Sequence, residues 1–117
     1  MTRAGEREII KAEHVNGGAG YILKEALLNK EELGKHCRMF TQVTIPAGCE
    51  LGYHEHHGET ETYYILRGSG VYNDNGTEVP VRAGDVFFCQ DGHGHGLVNT
   101  GEYELSFVAL ILGDEEK

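Results

Sequence analysis

From about Tyr21 onward, runs of five to nine residues rich in Val, Ile, Tyr, Phe and Thr alternate with clusters of Gly, Asn and Asp. That alternation is the signature of short strands separated by turns. The runs predict strands at roughly 20–27, 37–45, 49–55, 61–67, 70–74, 77–82, 85–89, 94–99 and 103–112, an all-β rhythm at the spacing of a sandwich or small barrel. The breaks between them have local causes. Pro46-Ala47-Gly48 and Arg67-Gly68-Ser69-Gly70 are turn sequences, and Asp74-Asn75-Gly76 supplies the positive φ angles of a tight hairpin.

Two segments fall outside this rhythm. Lys30-Glu31-Glu32-Leu33-Gly34-Lys35-His36 is charged and helix-favouring, as compatible with a solvated loop as with one helical turn, and is read as a loop. Residues 1–20 show no period and contain Asn16-Gly17-Gly18-Ala19-Gly20, which predicts an irregular N-terminal arm ahead of a barrel domain over 21–117. Such an arm, or an edge strand, is suited to pairing in a homodimer.

Composition narrows the function classes. The chain has 117 residues, 39% hydrophobic and 25% charged, enough for one domain with a core. Ten Lys and Arg against 19 Asp and Glu give a net charge of −9, and the basic residues are scattered, which argues against a nucleic-acid partner. The longest apolar run, Phe107 to Leu112, is far below the ~20 residues that span a bilayer, so no membrane is expected. The N-terminal residues carry no apolar leader, and a cytoplasmic location is expected. Cys37, Cys49 and Cys89 are widely spaced, without the pairing of a disulfide framework or thiolate zinc site.

The seven histidines change the picture. Five fall in two clusters, Tyr53-His54-Glu55-His56-His57 and Gly92-His93-Gly94-His95. Strand alternation puts His54 and His56 on one face and His57 on the other. Gly58 allows a turn that resets the phase, so that Glu61 rejoins the His54 and His56 face on the next strand. With His95 this makes three imidazole nitrogens and one carboxylate oxygen, suited to Mn, Fe, Co, Ni, Cu or Zn rather than to Ca or Mg.

The same residues carry two family motifs. Gly48, five residues, His54-Glu55-His56, four residues, Glu61, six residues and Gly68 form the first. Gly84, five residues, Gln90-Asp91-Gly92, two residues, His95, three residues and Asn99 form the second, with Gln90 where proline is usual. On this ground the chain resembles a small single-domain cupin. The stretch Glu61 to Gly68 with Asp74-Asn75-Gly76 also resembles oxalate-decarboxylase-like, cupin type 2 conserved-barrel proteins.

The resemblance implies a jelly-roll β-barrel, the double-stranded β-helix. It further implies one divalent transition-metal ion per chain (Mn, Fe, Ni, Cu or Zn) held by His54, His56, Glu61 and His95, with Asn99 tying down a turn. Three neutral imidazoles, one carboxylate and a divalent ion sum to +1, which favours a small oxygen-rich anionic ligand. The expected function is therefore metal-dependent chemistry of the oxygenase, decarboxylase or lyase type. Glu61, His57 and His93 are the candidates for moving protons. The alternatives are a non-enzymatic small-molecule binding or sensing protein and a sugar isomerase or epimerase. The intact ligand set speaks against the last.

Overall fold

A computed structural model describes residues 1–114 of the 117. The strands are β1 (Ile9–Glu13), β2 (Tyr21–Ala26), β3 (Cys37–Ile45), β4 (Glu50–Glu55) and β5 (Glu59–Arg67). They continue as β6 (Ser69–Asp74), β7 (Thr77–Arg82), β8 (Val86–Cys89), β9 (Gly94–Val98) and β10 (Leu105–Gly113), with a short α-helix, α1 (Lys30–Leu33), and a 3-10 turn at Val15–Gly17. A six-stranded sheet in the order β1-β2-β3-β10-β5-β8 faces a four-stranded sheet in the order β4-β9-β6-β7, and every pairing is antiparallel. Together they make a jelly-roll barrel, the all-β architecture expected from the sequence. Among the described residues no helix is long and apolar enough to cross a membrane.

Alternation along the strands puts the apolar set between the sheets. Ile22, Val43, Ile45, Tyr63, Ile65 and Phe107 come from the large sheet and Leu51, Tyr72, Val81 and Leu97 from the small one, all buried. Tyr63 packs on Phe107 with ring centroids 4.4 Å apart and meets Tyr72 edge-on at 6.1 Å, so an aromatic seam joins the two layers. Buried Asn99 donates to the carbonyls of Ile45 and Tyr103, both at 2.8 Å, and accepts from Gly101 N, closing the turn between β9 and β10.

The structure differs from the sequence reading at two places. Ile9–Glu13, expected within an irregular arm, is an edge strand paired with β2 in the register Ile9 to Glu25 through Glu13 to Tyr21. Its side chains are mostly exposed, so it forms by backbone pairing and leaves no alternating pattern to read. Lys30–Leu33, read as a loop, is one helical turn closed by a capping box: Asn29 Oδ1 accepts from Glu32 N and Glu32 Oε1 accepts from Asn29 N. Those reciprocal bonds satisfy first-turn donors that four residues of helix propensity alone would leave open.

Candidate metal centre

The site forms where the β4–β5 turn carries the chain from the small sheet to the large one. His54 on β4 stands opposite His95 on β9. Leu51 pairs with Leu97 two residues away on β9, but His54 is three residues from Leu51, so β4 holds one extra residue at Gly52-Tyr53. Such a bulge reverses the side-chain phase, which lets Leu51 face the core while His54 also faces inward. The bulge is pinned from outside: a Cβ on Gly52 would collide with the Asn16 carbonyl in the Val15–Gly17 turn.

His56 follows the end of β4, its N–H donating to His93 O at 3.0 Å and its carbonyl accepting from Gly92 N at 2.8 Å. These bonds clamp it beside the strand that carries His95. Gly58, at φ +78°, makes the turn, and β5 then delivers Glu61 as its third residue. His56, Glu61 and His95 are buried and His54 is half-buried.

One atom from each residue reaches a common point. Glu61 Oε1 lies 2.8 Å from His56 Nε2, 2.8 Å from His95 Nε2 and 3.5 Å from His54 Nε2, and the first two nitrogens are 3.1 Å apart. All four ligand atoms fall within 4.8 Å of one another. Ligands held about 2.0–2.2 Å from a first-row ion stand about 2.8–3.6 Å apart.

The far side of each ring is also engaged. His54 Nδ1 donates to Gly52 O at 2.9 Å, and His56 Nδ1 to Glu59 Oε2 at 2.6 Å. His95 Nδ1 lies 2.8 Å from the Tyr72 hydroxyl, and its ring stacks on Tyr63 at 4.6 Å. A backbone carbonyl and a carboxylate only accept, so Nδ1 carries the hydrogen in His54 and His56, and Tyr72 is placed to accept from His95 in the same tautomer. The neutral rings then turn bare Nε2 lone pairs toward Glu61. Four converging acceptors repel one another until a cation lies between them, and their spacing and chemistry fit a transition-metal ion.

In the metal-free protein, protons must take that role. Burial pushes the Glu61 carboxyl up, but hydrogen bonds from His54, His56 and His95 outweigh it and hold the group well below the usual carboxylate range. Glu61 raises the His56 pKa against burial, with help from Glu59. His95 goes the other way, lowered chiefly by burial.

Glu59, Arg38 and Tyr72 were not among the residues singled out from the sequence. Arg38 Nη1 binds Glu59 Oε1 at 2.8 Å and its other nitrogen donates to Asp114 O at 2.6 Å, so a chain Arg38–Glu59–His56 fixes the ring. Glu59 is three residues from His56 across the β4–β5 turn, but only sheet pairing brings Arg38 to Glu59 and Tyr72 to His95. Two candidates for proton transfer stand elsewhere. The His57 side chain is 73% exposed beside Glu55; His93, on the loop before β9, accepts from Gln90 Nε2 at 2.8 Å. Neither lines the cavity described next. Cys89 is buried, and burial pushes its thiol up to about 11, away from nucleophile chemistry.

A cavity of about 180 Å³ opens beside the cluster. His54, His56, Glu61 and Tyr63 line one part, and Ile22, Met39, Val43 and Phe107 contribute apolar wall. The Tyr63 hydroxyl is buried without a hydrogen-bond partner among the described residues. Burial, reinforced by the Glu61 charge, raises its pKa and keeps it protonated.

Comparison with known proteins agrees with the fold. The cupin domain family matches residues 41–111, and the chain belongs to the cupin family. It is 40% identical over 112 residues to an oxalate-binding protein of Thermotoga maritima, covering 96% of this chain and 93% of that one. The crystal structure of a predicted oxalate decarboxylase from Thermotoga maritima superposes with a TM-score of 0.92 at 40% identity, over 97% of this chain and 98% of that one. The (S)-ureidoglycine aminohydrolase of Escherichia coli is 34% identical over 98 residues, 80% of this chain but only 36% of that protein.

Proposed function

We infer that this protein binds a small, oxygen-chelating anion of the oxalate class through one divalent transition-metal ion held by His54, His56, Glu61 and His95. The observation that carries the reading is the convergence of three Nε2 atoms and Glu61 Oε1, with Nδ1 of each ring engaged behind it. When bound, the ion supplies Lewis-acid character and the positive charge that an anion neutralises.

The chain's own residues do the rest. Gly52 O, Glu59 and Tyr72 hold the rings in the ligating tautomer, and the apolar wall of Ile22, Met39, Val43 and Phe107 excludes competing water. The cavity corresponds to about six water volumes, a size for a ligand of few atoms. The likeness to an oxalate-binding protein supports oxalate as the first ligand to test.

The test is calorimetric titration of oxalate into protein loaded with Mn, Fe or Zn, beside a chelator-treated sample. Metal-dependent saturable binding supports the reading. Absence of binding with every metal overturns it.

A second reading is turnover of the bound anion, as a decarboxylase, oxygenase or lyase. Its support is the strong likeness to a predicted oxalate decarboxylase. Beyond the ligands, the ionisable side chains lining the cavity are Tyr63 and Lys24, so a reaction would depend on them and on Glu61, and not on His57 or His93. Formation of formate or carbon dioxide from oxalate by the metal-loaded protein separates turnover from binding.

The expected homodimer belongs to the same proposal. Ile9 and Ile10 on the edge strand β1 are 60% and 53% exposed, and an open apolar edge suits pairing with a second copy. A dimer mass by sedimentation supports it, and a monomer at high concentration removes it.

A further inference from the structure

We propose that Lys24 and the Tyr63 hydroxyl form an anion-binding half-site beside the metal position, which makes the cavity select dianionic ligands over monoanionic ones. This rests on the metal-dependent reading above and extends it to the part of the ligand that the metal does not hold.

Lys24 sits two residues after buried Ile22 on β2, so it shares the inward face of its strand. It is half-buried and lines the same cavity as His54, His56 and Glu61. Much of the surrounding wall is apolar, and an ammonium directed into the cavity would cost free energy there unless an anion met it. The neighbouring acid, Glu25, faces the other side of the strand and is paired with Arg7 at 2.9 Å. Among the described residues no carboxylate forms an ion pair with Lys24.

Tyr63 is the independent observation. Its ring stacks on His95, and its hydroxyl is buried beside the Glu61 carboxylate with no hydrogen bond of standard geometry among the described residues. A buried donor left open is costly, and an acceptor entering the cavity would satisfy it.

Charge points to the class of ligand. A divalent ion, three neutral imidazoles and Glu61 sum to +1, and Lys24 makes +2. A dianion neutralises the site and a monoanion does not. A dicarboxylate chelated through one oxygen of each carboxylate keeps two outer oxygens to receive an ammonium and a phenol. The cavity of about 180 Å³ is small enough for one ligand to meet both walls.

The test compares oxalate with glycolate, a monoanionic chelator of the same chain length, by titration into Mn-loaded wild type and the variants Lys24→Met, Lys24→Arg and Tyr63→Phe. Metal content is measured on each sample. Lys24→Met is expected to weaken oxalate by about tenfold or more, the scale of a charge-assisted hydrogen bond, with glycolate within about twofold and metal content unchanged. Lys24→Arg should restore most of the oxalate affinity, and Tyr63→Phe should lose a few-fold.

Unchanged oxalate binding in Lys24→Met would overturn the proposal and mean that the ammonium reaches out to solvent, past the outer groove its side chain also borders beside Ala26 and Arg38. Equal losses for both ligands would overturn selectivity. A wild type that takes up no metal would instead remove the functional reading, and the half-site with it.

Discussion

His54 lies directly across from His95 in the β4–β9 ladder, and a single extra residue at Gly52-Tyr53 is what lets it share the inward face with Leu51. The bulge thus fulfils two tasks, orienting the His54 ring and presenting Gly52 O to its Nδ1. Gly52 is tightly enclosed by the backbone of the Val15–Gly17 turn. Gly52→Ala should therefore destabilise the protein by about 2–4 kcal/mol, because backbone must move to admit the methyl. Chemical denaturation measures it, and a midpoint equal to wild type would refute the close packing.

Glu59 orients His56 without reaching the ion position. Glu59→Gln removes the charge that accepts from His56 Nδ1 and pairs with Arg38. Metal affinity should fall by about 10–100-fold with little change in fold. Competition with a fluorescent chelator reads the affinity, and circular dichroism checks the fold. Tyr72→Phe should act in the same direction through His95.

Metal uptake should weaken as the pH falls. The His56 pKa is raised by Glu61 and Glu59, so the metal-free site holds a proton above the ordinary histidine range. A metal must displace that proton, which becomes harder as pH drops. Between about pH 8 and about pH 6 the apparent affinity should decline by up to about tenfold per pH unit for each proton released. Titrations in buffers of different ionisation enthalpy count those protons. An affinity flat across this range would contradict the coupling.

Much of the barrel could be read along the chain because strand alternation and turn chemistry agree. Cys37–Ile45 and Thr77–Arg82 have the same ends in both readings, each bounded by residues suited to the turn. Ile9–Glu13 escaped because an exposed edge strand needs no buried face. The Lys30–Leu33 turn carried its signal in the Asn29 to Glu32 spacing, a capping box on a run otherwise too short and too charged to read. The four clustered residues were legible through motif spacing. Their supports were not: Arg38 reaches Glu59 only once β3, β10 and β5 lie side by side, and Glu59, three residues after His56, holds no fixed position in the motif. Lys24 left no mark in the pattern because its inward direction depends on which face of β2 is covered.

The proposed function turns on the metal. Elemental analysis of untagged protein purified without chelators, beside His54→Ala and His95→Ala, is its most direct test. The prediction is about one transition-metal ion per chain in the wild type and strong depletion in both variants. A wild type that carries no metal and takes up none on incubation with Mn, Fe, Ni, Cu or Zn would contradict it.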